Sequence, residues 1–434
     1  MLGGDIVKKS DYLSTLFVGI DVAARENVVC VLNFEQEKLL QFAVPNAQSG
    51  ADEIADKLSI LLSANTFNRV IIALESTSFY GIHIANFLSS SALLAPYNTY
   101  VYCLNPKMVA NYKKSFIGMA KKDPIDAFVI ADFARVGRIT CEPWRGSQYL
   151  ALQRLTRHRL HLVECLAREK TYMLSNVFLK FSEFATLSKA DHPFANKYGA
   201  TASAVLTEYL SNEQIAEASM EELIDFICDK GKNRISKPDE VASILQAAAR
   251  NSYRLEKCLY EPLTIAIASS FNCLKAFEQE IKSIDKAIER TVNGLNPLEY
   301  LCLLSIPGIG PVYAAGILAE IGSIKAFPNH DALAKYSGIV WNENQSGDFE
   351  SEDTRMSKAG NKYLRYYLVE ATGSVIINLP EYKAFYQKKY DEVKTHQHKR
   401  ALALTSRKFI RLVFGLLAKN QLFVPQGVDS TPNL

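Results

Sequence analysis

Four acidic residues raise the first chemical question. Asp123 and Asp126 lie three apart in "KKDPIDA", a spacing that puts both carboxylates on one face of a helix. Asp21 closes an apolar run in "GIDVA", and Glu75 closes another in "ALESTS". Four carboxylates converging on one point could hold two Mg²⁺ (or Mn²⁺) ions about 4 Å apart, which suits the attacking and leaving oxygens of a phosphate. Each acid also has a plainer use. Asp123 suits an N-cap with Pro124 at the first helical position, and Asp126 suits the positive end of the helix dipole. Asp21 could end a strand in a turn, and Glu75 could cap a following helix. Two apolar strands that both end in an acid, together with a helix-borne pair, favour the metal site.

The surrounding elements decide whether these acids can meet. "TLFVGIDVA" (15–23), "ENVVCVLNF" (26–34) and "KLLQFAVPN" (38–46) read as three consecutive strands in an antiparallel meander. A helix over about 50–63, a buried strand "RVIIALE" (69–75) and a helix from about Tyr80 follow. "YVYCLNP" (100–106) reads as a fifth strand stopped by Pro106, and the helix begun at Asp123 closes the unit near Gly137. This order predicts a ribonuclease-H-like mixed sheet flanked by helices. In that layout the first and fourth strands are neighbours, so Asp21 and Glu75 would point at one end of the sheet.

Beyond this unit the chain reads as helical. Leu152, Leu155, Leu162 and Leu166, and again Leu274, Phe277, Ile281, Ile284 and Ile288, follow 3-4 spacing. Two such seams suggest helices that pair with each other or with a second copy. Residues 181–250 between them are mixed and partly acidic, with no assignment from pattern. "LLSIPGIGPVYAAGILAEIGSIKAF" (303–327) reads as helix, turn and helix, a helix-hairpin-helix pattern. In such a turn Gly308 and Gly310 would let backbone N–H groups approach phosphate oxygens. "WNENQSGDFESED" (341–353) is a polar loop, and a basic-then-apolar helix follows. The expected domains are therefore 14–140, 145–295 and 298–425.

Bulk properties narrow the partners. The 434 residues are 48% hydrophobic and 22% charged, enough for two or three ordinary cores. The eight cysteines are scattered with no C-x-x-C pair, which argues against zinc and for a reducing, cytosolic compartment. Met1–Thr15 is mixed and polar, so no signal peptide is expected, and no apolar run approaches the ~20 residues of a membrane span. Net charge is only +3, but Arg355–Lys419 holds fourteen Lys/Arg against four acids. Lys107, Lys113, Lys114, Lys121 and Lys122 form a second basic cluster with no intervening acid. Two basic regions in a balanced chain point to a polyanion, most simply nucleic acid.

In their contexts GIDVA, ALES and KKDPIDA, the acids resemble the DEDD signature of the insertion-sequence-110 family of transposases, relatives of the Piv-type DNA invertases. "SIPGIGPVYAAGILAEIGSIKAFPNHDALAKYSGI" and "QSG…RMSKAGNKYLRYYLVEA" resemble that family's C-terminal domain. The likeness covers roughly 15–140 and 298–420; Lys122 stands where the family usually has threonine, and Pro124 where a basic or polar residue is common. The resemblance implies a RuvC-like first domain and Mg²⁺ or Mn²⁺ at Asp21, Glu75, Asp123 and Asp126. It also implies a serine nucleophile, Ser346 by motif match, and a guide RNA that directs recognition of donor and target DNA. Lys113, Lys114, Lys121, Lys122, Arg355, Lys358, Lys362 and Arg365 are the expected nucleic-acid contacts. A homodimer or tetramer, a bacterial or archaeal cytoplasm and association with the nucleoid go with it. The alternative is a RuvC-like junction endonuclease that hydrolyses DNA without a covalent intermediate. An actin-like ATPase would share the first G-I-D strand but needs further Gly-rich phosphate loops. A non-catalytic nucleic-acid binder would not need four convergent acids.

Overall fold

A five-stranded mixed sheet carries the first two acids. Its strands are β1 (Thr15–Val22), β2 (Glu26–Leu32), β3 (Lys38–Pro45), β4 (Arg69–Glu75) and β5 (Asn98–Leu104), in the order β3-β2-β1-β4-β5. The meander β1–β2–β3 is antiparallel as expected, whereas β1 pairs with β4, and β4 with β5, in parallel. In this computed structural model residues 12–64, 67–75, 79–116, 123–137, 139, 141, 143–295, 297–341, 345–346, 349–350 and 356–425 are described, with backbone alone at 297, 345–346 and 349–350.

The strands alternate, so each face has its own cover. Leu16, Val18 and Ile20 of β1 and Ile72 and Leu74 of β4 pack beneath α1 (Gln48–Ser63) and α2 (Gly81–Ser90). Phe17 of β1 and Ile71 and Ala73 of β4 face the opposite way, toward α3 (Pro106–Lys113) and α4 (Asp123–Arg135). Pro106 does stop the preceding strand, but it also opens α3, a helix that the sequence pattern did not reveal. Asn105 caps it, accepting a hydrogen bond from the Lys107 N–H.

The chain divides into two compact units, one made of 1–153 together with 291–434 and the other of 154–290. In the second unit α5 (Ser147–Lys180) and α11 (Lys257–Asn293) run antiparallel, joined by Arg159–Asp285 at 2.5 Å and Lys170–Glu278 at 3.9 Å. The two apolar seams thus pair within one chain, with Leu155, Phe277, Ile281 and Ile284 half-buried. The unassigned stretch between them forms five helices, α6 (Ser182–Thr186), α7 (Ala200–Glu208), α8 (Asn212–Glu217), α9 (Met220–Gly231) and α10 (Pro238–Asn251). Capping boxes start α8 and α9, through Ser211 with Gln214 and Ser219 with Glu222. Their shared core includes Phe181, Phe184, Ile227, Leu245 and Phe271.

The C-terminal part of the first unit is α12 (Pro297–Leu304), α13 (Pro311–Ile321), α14 (His330–Ser337), the short pair β6 (Gln345–Ser346) and β7 (Phe349–Glu350), α15 (Lys362–Asn378), α16 (Pro380–Asp391) and α17 (Gln397–Lys419). Tyr367 of α15 is fully buried and lies so close to Gly316 of α13 that a Cβ there would sit 2.4 Å from its ring. A cavity of about 330 Å³ separates β5 and the start of α5 from α13, lined in part by Trp144, Tyr149, Phe327 and Tyr336. No described helix is long and apolar enough to cross a membrane.

Candidate active site

Asp21 and Glu75 reach the same end of the sheet through strand alternation. Both share the register of the side chains that face α4: Phe17 and Asp21 on β1, Ile71, Ala73 and Glu75 on β4. The β1–β4 register pairs Ile20 with Leu74, one residue before each acid. Glu75 does not cap α2, whose N-cap is Tyr80.

The other two acids ride on α4, in its first turn. That helix lies against β1 because position 19 has no side chain: a Cβ on Gly19 would stand 2.1 Å from the Ala127 carbonyl oxygen and 2.4 Å from the Ala131 nitrogen. The Gln41 amide donates to the Pro124 carbonyl oxygen at 2.9 Å, tying the helix start to β3. Ala127, Val129, Ile130 and Phe133 bury the inner face, and each fully buried large side chain contributes roughly 1.5–3 kcal/mol. Carboxylate oxygens of Asp21, Asp123 and Asp126 consequently lie within 4.8 Å of one another.

The electrostatics follow from this crowding. Burial raises the Asp21 carboxyl above its ordinary pKa, and the charges of Asp126 and Asp123 raise it further. Burial also raises Glu75, with added contributions from Asp21 and Asp126, although its carboxylate is not one of the three that come within 4.8 Å of one another. Lys113, at the end of α3, forms an ion pair with Asp126 and opposes the shifts of both Asp21 and Glu75. Oxygen donors of this kind suit a hard divalent cation such as Mg²⁺.

Behind the cluster lies an acid that sequence reasoning missed. Asp132 is 1% exposed and accepts from the Tyr112 hydroxyl at 2.6 Å, Arg135 Nε at 2.7 Å and Gln36 Nε2 at 2.9 Å. Its one sequence signal is an acid inside the apolar run "AFVIADFAR", six residues after Asp126. The Tyr112 bond fastens α3 to α4 and so fixes where Lys113 can reach.

The expected nucleic-acid contacts have diverse settings. Lys114 is exposed at the C-cap of α3. Gly308 has φ +94° and its missing Cβ would lie 2.7 Å from the Ser374 carbonyl oxygen, so packing of the turn on α15 accounts for this glycine. Gly310, the N-cap of α13, faces open space. Lys358 adopts φ +51°, and Lys362 holds its ammonium 4.9 Å from the Tyr363 ring centre. Arg365 is turned inward, donating to the Ser337 and Lys358 carbonyl oxygens. Lys121, Lys122 and Arg355 lie outside the described residues, as does the Ser346 side chain, whose backbone pairs with Phe349.

Residues 18–181 match the transposase family profile named for DEDD and IS110, and residues 300–387 match that of the transposase IS116/IS110/IS902 family. The chain is 24% identical to the insertion element IS116 uncharacterized 44.8 kDa protein of Streptomyces clavuligerus, over 77% of this chain and 80% of that protein. It is 22% identical to the insertion element IS110 uncharacterized 43.6 kDa protein of Streptomyces coelicolor, over 95% and 97%. It is also 28% identical to the pilin gene-inverting protein of Moraxella lacunata, over 39% and 53%. With one profile spanning the acid-bearing sheet and α4, and the other α13 to α16, the chain belongs to the IS110 family of transposases.

Proposed function

We propose that this transposase cuts and rejoins DNA strands to move an insertion sequence, using a divalent-metal site of Asp21, Glu75, Asp123 and Asp126. The observation that carries the reading is the convergence of carboxylates from β1 and α4 within 4.8 Å, with Glu75 coupled to them by charge. Mg²⁺ or Mn²⁺ held there would supply positive charge to a phosphodiester. The strand order and the acids at one sheet end support a ribonuclease-H-like, RuvC-like first domain over 14–140. A helical middle over 145–295 and a C-terminal transposase domain over 298–425, with a helix-hairpin-helix-like motif around Gly308 and Gly310, complete the proposed organisation.

Ser346 is the nucleophile in this proposal, on the strength of the Gln345–Ser346–Gly347 match to the family. Its Oγ would form a bond to phosphorus as the phosphate loses one strand's oxygen, which leaves with a proton. The resulting phosphoserine keeps the bond energy for rejoining to another strand. The serine's own proton must pass to an acceptor, and an acid of the first domain can take it. Lys114, Lys121, Lys122, Arg355, Lys358 and Lys362 would hold phosphates of donor DNA, target DNA and a guide RNA. Action as a dimer or tetramer in the bacterial or archaeal cytoplasm fits the same reading.

The test is a strand-transfer assay with trapping of protein–DNA adducts. Asp126→Asn and Glu75→Gln should lose cleavage by at least about 100-fold at nearly unchanged fold stability. Ser346→Ala should still bind DNA yet form no covalent adduct. Normal cleavage by the amide variants would overturn the metal site, and an adduct formed by the alanine variant would remove Ser346 from the chemistry.

A further inference from the structure

The acid cluster holds a cation of its own. The Lys113 ammonium is paired with an Asp126 carboxylate oxygen, and its charge also reaches Asp21 and Glu75. This placement is built into the fold. Lys113 is the last residue of α3, and α3 is anchored by buried Val109 and by the Tyr112–Asp132 hydrogen bond. The Tyr112 ring packs edge-on against Phe133 of α4 at 5.4 Å. The lysine therefore cannot drift away with its helix, and only its flexible stem can move.

Carboxylates this close repel one another, and a single positive charge on Asp126 offsets part of that repulsion. A divalent ion bound by the same cluster needs the same Asp126 oxygens. We infer that Lys113 is an internal counter-ion that occupies Asp126 until a divalent cation displaces it, so that ion binding and release of this lysine are coupled. The inference rests on the metal-site reading above and adds a competitor to it. Once released, the ammonium remains tethered at the rim of the site, where a phosphate oxygen is its natural next partner.

Mn²⁺ titration of the full chain, followed by calorimetry and by the electron paramagnetic resonance signal of free Mn²⁺, tests this without any DNA. Lys113→Ala and Lys113→Gln, the second keeping much of the bulk, should each bind Mn²⁺ about tenfold more tightly than the parent chain. In chelator both variants should melt below the parent, and added Mn²⁺ should close that gap. Equal or weaker Mn²⁺ affinity in both variants, while Asp126→Asn still abolishes binding, overturns the counter-ion role and leaves the metal site standing. Absence of Mn²⁺ binding in parent and lysine variants alike overturns the metal site itself, and the inference with it.

Discussion

Arg365 lies in the most basic stretch of the chain, yet one nitrogen of its guanidinium is held by the protein. Its Nη1 donates to the Ser337 carbonyl oxygen at 3.0 Å and the Lys358 carbonyl oxygen at 2.9 Å, joining the end of α14 to the segment before α15. Nearby, Glu320 is 3% exposed and accepts from the Asn361 side chain at 2.7 Å, while Asn361 Oδ1 caps α15 through the Tyr363 and Leu364 N–H groups. Arg365→Gln removes the charge and the Nη1 donor that both carbonyl oxygens share. It should cost about 1–3 kcal/mol, since carbonyl groups lose a charged donor. DNA affinity should keep its salt dependence, because no phosphate contact is removed. Denaturant midpoints and binding isotherms at several salt concentrations check both parts. A weakened salt slope with intact stability would return Arg365 to the phosphate contacts.

At the scale of elements, the site depends on how closely one helix approaches one strand. The "GID" of β1 places glycine two residues before the acid, and this gap admits the backbone of α4 at Ala127 and Ala131. A methyl group at position 19 cannot be absorbed by a flexible side chain, since both opposing atoms are backbone. Gly19→Ala should therefore destabilise the chain by roughly 2–3 kcal/mol. Because α4 must shift, Asp123 and Asp126 would move away from Asp21, and cleavage should fall further than the folded fraction does. Parallel thermal melts and cleavage rates measure the difference, and a variant with parental activity would show that the helix spacing is not needed. The same economy explains the unforeseen α3. A proline that ends a strand also fits the first turn of a helix, and an asparagine before it supplies the cap.

For the whole molecule, each unit has its own core and its own weak points. In the 154–290 unit, Lys180 is 3% exposed and its ammonium donates to the Leu206 and Tyr209 carbonyl oxygens at 2.7 and 2.8 Å and to Thr264 Oγ1 at 2.7 Å. Three neutral acceptors satisfy three donors, but burial still lowers its pKa from 10.5 to about 8. Between those values the unfolded chain keeps a proton that the folded chain releases. Stability should thus rise with pH across this window, by up to about 3 kcal/mol, and be unchanged by this group below it. Denaturant midpoints at pH 7, 8, 9 and 10, followed by far-UV circular dichroism, should show that rise in the parent chain but not in Lys180→Met. A flat profile from pH 7 to 10 would mean that this lysine stays charged in the fold.

Sequence alone revealed much of the first unit because its signals are local. Alternating apolar residues mark strands, and an acid at the end of each of two strands is visible without knowing their partners. The meander, the strand at 69–75 and the pair on α4 were legible for that reason, as were the two long seams of α5 and α11. The helices of the 181–250 stretch were not, because their apolar residues are divided among short elements that bury them jointly. Tertiary structure decided which side chains meet. Lys113 looked like part of a basic patch, and only the docking of α3 through Tyr112 and Asp132 brings it to Asp126. Arg365 reads in sequence as a phosphate contact, whereas the fold gives its Nη1 two carbonyl partners from residues 28 and 7 positions away. A charge pattern records where cations lie along the chain, whereas the direction of each depends on contacts that only the folded backbone creates.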